Sequence, residues 1–185
     1  MSHDTEAEES VESDGQLIER WRRGDQLAAT ALVNRHAPAL VRFAASSGAR
    51  DDIGELVQDT FVRAFGALDG FRGESTFRTW LFTIERRLLL DRRRAEKRRG
   101  PMVELDEGAS STEYDALDSM LADESEVAVR AAVERLSPTQ REVFLLRVVE
   151  GLSYKEIAEV ADTTEGAARV HYHHAMRAVK ESLHD

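Results

Sequence analysis

Aromatic and basic side chains occur together in one stretch of the chain, residues 71–99. This stretch holds ten Lys and Arg residues against four acids. Its aromatic residues are Phe71, Phe77, Trp80 and Phe82. Aromatic faces can stack on unpaired bases and cations can follow a phosphate backbone, so this mixture is typical of a surface that holds single-stranded nucleic acid. The alternative is that the aromatic residues belong to a hydrophobic core.

Helical spacing separates these two interpretations only in part. Leu81, Ile84 and Leu88 recur at the steps expected of a buried helix face in a helix predicted over residues 76–94. Phe71 and Trp80 fit either interpretation. The arginines are harder to explain by stability alone, because like charges one turn apart on a helix repel each other.

A second group of polar residues lies within residues 52–59. The apolar residues of the same segment recur at steps of three and four, which predicts an amphipathic helix. They are Ile53, Leu56, Val57, Phe61, Ala64, Phe65 and Leu68. Beside this face, the stripe formed by Asp52, Glu55, Gln58 and Asp59 is either a solvated surface or a docking site.

The C-terminal stretch, residues 136–183, carries the start and stop signals of three helices. Ser137 can cap the first helix with Pro138 at its first position, and Gly151 can end it. The second helix begins with the S-x-x-E capping box of Ser153 and Glu156.

This second helix must be short, because the pattern breaks at residues 161–163 and Thr164 can cap a third helix. The third helix carries the donor side chains Arg169, His171, His173, His174 and Arg177. The layout is a helix-turn-helix, whose last helix suits a DNA groove. A zinc site is the alternative, but histidines two residues apart on a helix point in different directions.

Charge divides the chain of 185 residues and net charge -10 into blocks. Residues 1–14 hold six acids and no base, and residues 100–126 hold nine acids and no base. We therefore predict a disordered acidic tail at 1–14 and a flexible acidic linker at 100–126. They leave an N-terminal domain at 15–99 and a C-terminal domain at 127–185. The predicted fold class is all-α, with two small helical domains.

Composition excludes several classes of protein. The chain has no cysteine, no apolar run long enough to span a bilayer and no signal peptide pattern, so we expect a cytoplasmic protein. It also lacks a glycine-rich phosphate loop, a nucleophile elbow and histidine–carboxylate pairs at catalytic spacing. We therefore expect no enzyme, no metal and no cofactor.

Three motifs, in this order, resemble the extracytoplasmic-function (ECF) group of bacterial sigma factors. They are DDIGELVQDTFVRAF, FRGESTFRTWLFTIERRLLLDRRR and LSPTQREVFLLRVVEGLSYKEIAE. The resemblance implies a subunit that carries RNA polymerase core to promoters and melts them, with sigma region 2 at 15–99 and sigma region 4 at 127–185. It also implies docking on the clamp coiled coil and the flap of the polymerase, and control by an anti-sigma factor.

The resemblance assigns roles to individual residues. Binding to core polymerase is implied for Asp52, Glu55, Leu56, Gln58, Asp59 and Phe61. Contact with the minus-ten element, including capture of a flipped base, is implied for Phe71, Arg72, Phe77, Arg78, Thr79, Trp80, Arg87 and Asp91. Contact with the minus-thirty-five element is implied for Lys155, Thr164, Glu165, Arg169, His171, His173, His174 and Arg177.

Two other functions stay open at this point. A helix-turn-helix regulator would use the C-terminal domain without the basic aromatic helix. A sigma-like decoy would bind a regulatory partner without driving initiation. This alternative stays open because the turn at residues 161–164 and the histidines of the last helix depart from the sigma pattern that the motifs resemble.

Overall fold

A computed structural model describes residues 12–47, 49, 52–99 and 124–183. The predicted acidic tail and linker lie almost entirely outside these residues. Within them the secondary structure is helical throughout, which confirms the predicted all-α class. The helices are α1 Asp14–Arg22, α2 Gln26–Ser46, α3 Ile53–Gly66, α4 Phe77–Arg99, α5 Glu124–Glu134, α6 Pro138–Val148, α7 Tyr154–Ala161 and α8 Glu165–Ser182, with a 3-10 turn at Leu68–Gly70.

The chain divides into two compact units, Met1–Pro38 and Ala39–Asp185. In the first unit, Asp14 begins α1 and contacts His36 at 2.9 Å and Arg35 at 2.6 Å. Burial alone would raise the pKa of Asp14, but the hydrogen bonds and charges of His36 and Arg35 outweigh it and lower the pKa. These contacts hold α1 against the part of α2 that precedes Pro38.

Helix α2 corrects one expectation from the sequence. The sequence suggests an interruption at Pro38, yet α2 runs without a break through this residue. A proline inside a helix removes one backbone hydrogen bond. The helix continues because the residues that follow, Ala39, Leu40, Phe43 and Ala44, are buried, and that burial outweighs the lost bond.

Helix α4 packs against α3 and supplies much of the core of the second unit. It begins one residue after the expected Thr76 and extends to Arg99, beyond the expected end at Arg94, because residues 95–99 are good helix formers. Phe82 is fully buried with its ring edge against Phe43, at 5.2 Å between centroids. It is therefore a core residue and not one of the aromatic faces available to nucleic acid.

The C-terminal helices form their own core around Leu136, Phe144, Ala175 and Val179, with Tyr172 packed against it. Their ends follow the expected signals. Ser153 and Glu156 form a capping box, Thr164 accepts a hydrogen bond from the N–H of Ala167, and Gly151 has a φ of +69°. The turn between α7 and α8 is held by Asp162 in the left-handed conformation, with φ +52°. These local interactions position α8 across α6 and α7.

Candidate nucleic-acid and protein interfaces

The acidic stripe lies on the exposed side of α3. Asp52, Glu55 and Gln58 are exposed, whereas Leu56 and Phe61 are buried at 1% and 5% of their surface. The two groups of residues predicted to bind core polymerase therefore differ in position. The polar ones are available to a partner, and the apolar ones hold the helix against α4.

The two ends of the stripe have different electrostatic surroundings. Asp52 precedes the helix in a left-handed conformation and makes no capping hydrogen bond with its side chain. Asp52 is exposed, so its carboxylate is accessible to a partner. At the other end, Arg92 of α4 donates to Asp59 at 2.9 Å and lies 3.9 Å from Glu55. This arginine neutralises part of the stripe and fixes the Asp59 side chain.

An aromatic cluster precedes and opens α4. The rings of Phe71 and Trp80 lie 4.9 Å apart, and Phe77 lies 5.8 Å from Phe71 and 5.9 Å from Trp80. Phe77 is buried, at 3% exposure, while Phe71 and Trp80 are half-buried. Phe71 and Trp80 therefore pack on the buried ring of Phe77 and keep part of their own surface exposed. Spacing alone did not decide whether these two residues are core or surface, and the structure shows that they are partly both.

The loop before α4 places polar groups next to this cluster. Gly73 has a φ of +72°, and Arg72 beside it is exposed. The hydroxyl of Thr76 caps α4 by accepting from the N–H of Thr79 at 3.0 Å. Farther along α4, Arg87 and Asp91 are both exposed.

Two of the residues predicted to touch the minus-ten element are engaged within the chain. Thr79 is fully buried, and its hydroxyl donates to Glu156 at 3.0 Å. Arg78 donates to the backbone oxygen of Glu150 at 2.8 Å and also to the Glu150 carboxylate. The structure thus brings Phe71, Phe77 and Trp80 together and turns Arg78 and Thr79 toward the C-terminal helices.

The last helix, α8, carries most of the residues predicted to contact the minus-thirty-five element. Glu165, Arg169, His173, His174 and Arg177 are exposed, while His171 is half-buried. Lys155, near the start of α7, is also exposed, and Thr164 serves as the cap of α8. Most of the predicted minus-thirty-five residues are therefore accessible on one helix and its turn.

Tyr154, which no sequence pattern singled out, organises the start of α8. The guanidinium of Arg169 lies 4.5 Å from the centroid of its ring, and that of Arg147 lies 4.9 Å from it. Arg169 also pairs with Glu165 at 2.6 Å. The Tyr154 ring therefore fixes two cations next to the exposed face of α8, through contacts between cations and an aromatic face.

Two glutamates were also missed from sequence. Glu150 is 4% exposed and Glu85 is fully buried. For Glu85 a signal was present, since it follows Leu81 by four residues and precedes Leu88 by three, on the apolar face of α4. Burial, and secondarily the charge of Glu150, raises the pKa of Glu85 to about 9, so its carboxyl is neutral at pH 7.

The described part of the chain shows neither a metal site nor a membrane span. Ranges 12–47, 52–99 and 124–183 contain no group of three or more His, Cys, Asp and Glu side chains arranged to hold a metal ion. In the same ranges no helix is long and apolar enough to cross a membrane.

Comparison with known proteins agrees with this arrangement over most of the chain. The family "Sigma-70 region 2" matches residues 32–99, and "Sigma-70, region 4" matches residues 126–179. The "ECF RNA polymerase sigma-E factor" of Escherichia coli (strain K12) is 32% identical over 92% of this chain and 94% of that protein. The protein of the same name from Haemophilus influenzae is 30% identical over 92% of this chain and 95% of its own length.

Solved structures give the same result. The chain is similar to the sigma factor RpoE in complex with the anti-sigma factor NepR from Bartonella quintana, with a TM-score of 0.66 and 26% identity over 83% of this chain and 95% of that one. It is equally similar to CnrH in complex with the cytosolic domain of CnrY, with a TM-score of 0.66 and 28% identity over 93% of this chain and 97% of that one. The chain therefore belongs to the ECF group of sigma-70 factors, which direct RNA polymerase to specific promoters.

Proposed function

We propose that this sigma factor uses three surfaces. The acidic stripe of α3 docks on core polymerase, the aromatic cluster at the start of α4 melts the minus-ten element, and α8 reads the minus-thirty-five element. The observation that carries the proposal is the half-exposed pair Phe71 and Trp80, 4.9 Å apart, within the part of the chain that matches sigma region 2. A regulator that uses only a helix-turn-helix has no need of this pair, and the matches to both sigma regions do not favour a decoy.

Docking on polymerase rests on the charge and exposure of the stripe. Asp52, Glu55 and Gln58 offer acceptor oxygens on one side of α3, and Arg92 holds Asp59 in place. The partner surface that suits this stripe is basic, and the polymerase clamp coiled coil is the site that family resemblance assigns to it. Charged groups at such an interface act mainly on association rate and on partner choice.

Melting rests on the aromatic cluster. Extraction of a base from the duplex costs a few kcal/mol, and stacking in a protein pocket offsets this cost. Phe71 and Trp80 supply the stacking surface, at roughly 1–3 kcal/mol per base. Exposed Arg72 and Arg87 would contact the phosphates of the separated strand.

Recognition upstream rests on α8. Its first two turns carry Glu165 and Arg169, and Tyr154 fixes the guanidinium of Arg169. Arg177 lies about two turns farther along the helix. Arginines of this kind bind guanine edges or phosphates in the major groove, and a guanidinium already held in place loses less entropy on binding.

The partners follow from these surfaces. The proposed partners are promoter DNA and core polymerase, which the chain contacts at the clamp and the flap. The sigma factor contributes binding energy, and the polymerase performs the chemistry. The solved relative from Bartonella quintana is in complex with the anti-sigma factor NepR, and we extend that class of partner to this chain.

Transcription by reconstituted holoenzyme tests the melting step. Trp80→Ala should reduce open-complex formation by about tenfold or more, because it removes one stacking face. Trp80→Phe is the matched control and should retain most activity. On a template that is already melted at the minus-ten element, Trp80→Ala should recover. If Trp80→Ala is equally active on duplex DNA, the assignment of the aromatic cluster fails.

Binding to core polymerase is measured separately. Glu55→Arg should weaken the association of the chain with core, while Glu96→Arg, the same change at an exposed position of α4, should leave it intact. Equal affinities for the two variants would remove the stripe from the interface.

A further inference from the structure

One valine lies in the middle of the exposed face of α8. Val170 is 53% exposed, and the exposed residues that follow it on this face, His173 and Arg177, carry hydrogen-bond donors. Val179, which is buried, follows Val170 by about two and a half helical turns, so the two valines point to opposite sides of the helix. Val170 therefore points away from the core, and the packing of the described residues does not account for it.

The residues around Val170 leave its side chain uncovered. Arg169, which precedes it, has its guanidinium over the ring of Tyr154, at 4.5 Å from the centroid. Gly166, one turn before Val170, has no side chain, and a Cβ atom placed there would approach the hydroxyl oxygen of Thr164 no closer than 4.0 Å. The surface of α8 is thus low at Gly166 and apolar at Val170, which allows another molecule to approach the helix closely at this point.

The major groove of DNA offers one apolar group at its base edges, the C5 methyl group of thymine. Valine forms no side-chain hydrogen bond. Against a cytosine amino group or a guanine oxygen it would displace water without replacing the lost hydrogen bond, which is unfavourable. Against a methyl group it loses no hydrogen bond and gains from the burial of apolar surface. Thymine is therefore the base that suits Val170.

We propose that Val170 is a specificity-determining residue of α8, which packs on the C5 methyl group of a thymine in the major groove and thereby selects a T·A pair at one position of the minus-thirty-five element. The inference rests on the proposed function of α8. It extends that function from a helix that binds the upstream element to a single residue that reads one base pair.

The surroundings of Val170 favour a base edge over a protein partner. An interface with a protein has a core of several apolar side chains. One turn to either side of Val170 on α8, however, lie Gly166 and His174, and both are exposed. An isolated apolar group among hydrogen-bond donors matches the base edges of the major groove, where a methyl group lies among hydrogen-bonding atoms.

Removal of the methyl group from the DNA tests the contact without altering the protein. Holoenzyme assembled from core polymerase and the full chain first identifies promoters on genomic DNA, and the upstream element that they share defines the duplex probe. Each thymine of this element, on both strands, is then replaced in turn by deoxyuridine, which lacks only the C5 methyl group. Binding of the parent holoenzyme should weaken about fourfold at one thymine, which is the effect of one buried methyl group.

Variants of Val170 show whether this loss of affinity comes from the proposed contact. Val170→Ala should bind the thymine duplex about fourfold less tightly than the parent. It should also lose most of the discrimination between thymine and deoxyuridine, because the two changes remove the same contact. Val170→Thr keeps one methyl group and should retain part of the discrimination. Val129→Ala, the same change at an exposed position of α5, is the matched control and should discriminate as the parent does.

The outcomes separate this proposal from the function on which it rests. A shared upstream element without thymine, equal binding of all the deoxyuridine duplexes, or discrimination that persists in Val170→Ala would each overturn the assignment of Val170 to a thymine. In these cases an upstream element whose recognition is weakened by Arg169→Ala would leave the role of α8 intact. Absence of any shared upstream element would reject the role of α8 itself and this proposal with it.

Discussion

Substitution of Glu85 by glutamine should stabilise the protein, and the gain should depend on pH. Glu85 is fully buried, and its pKa is raised from the ordinary value of 4.5 to about 9 by burial and by the charge of Glu150. Between these two values the folded chain holds a proton at this position that the unfolded chain has released. Stability therefore falls as pH rises through this window.

The size of the effect follows from the width of the window. Each pH unit above the ordinary pKa of 4.5 lowers the free energy of unfolding by about 1.4 kcal/mol. Keeping Glu85 neutral at pH 7 therefore costs about 3 kcal/mol of stability. A glutamine side chain has nearly the same shape and is neutral at every pH. Glu85→Gln should thus raise the free energy of unfolding by about that amount at pH 7, by more at pH 8 and by little at pH 4.5.

Urea denaturation followed by circular dichroism at several pH values between 4.5 and 8.5 measures this difference. The control is Glu96→Gln, an exposed glutamate of the same helix, which should track the parent chain throughout. Parallel stability profiles for the parent and Glu85→Gln across the whole range would refute the reasoning, because they would show that the carboxyl of Glu85 is not held neutral by folding.

Three further predictions concern the helix-turn-helix. Burial would raise the pKa of Glu156, but hydrogen bonds from Ser153 and Thr79 and the charge of Arg78 outweigh burial and lower this pKa. The ionised carboxylate therefore stabilises the fold at pH values above its ordinary pKa, and this stabilisation is lost as the pH falls below that value. Glu156→Gln should then cost roughly 1 kcal/mol at pH 7, with the difference shrinking toward pH 3 in thermal melts; a constant difference would contradict this. Asp162→Gly should stabilise the chain by roughly 0.5–1 kcal/mol, because glycine adopts the left-handed conformation with φ +52° at lower cost; a lower melting temperature would refute it. Tyr154→Ala should weaken binding of holoenzyme to duplex carrying the upstream promoter element by releasing Arg169, while Tyr154→Phe should keep the contact between cation and ring; equal losses in both variants would assign the role to the hydroxyl instead.

Local signals account for what the sequence predicted well. The capping box of Ser153 and Glu156 and the cap at Thr164 each depend on residues within four positions of one another. Such interactions can be recognised without knowledge of the fold. The buried face of α3 is predicted equally well, because the helical spacing of its apolar residues alone identifies it.

Contacts between distant segments account for what was missed. Arg42 and Glu150 are 108 residues apart in the chain, and Arg78 and Glu150 are 72 apart, so no local pattern indicates that they meet. The continuation of α2 through Pro38 likewise depends on burial of the residues around it. Glu85 lies at the apolar spacing of α4, but glutamate is rarely fully buried, so spacing alone does not predict its burial.

Reconstitution on genomic DNA tests the central claim most directly. Core RNA polymerase is supplied with this chain, the transcripts are sequenced, and their start sites are compared with those from core alone. We predict discrete start sites that appear only with the chain, share upstream elements, and disappear with Trp80→Ala while binding to core is retained. Stable binding to core with no start site beyond those of core alone would contradict the account.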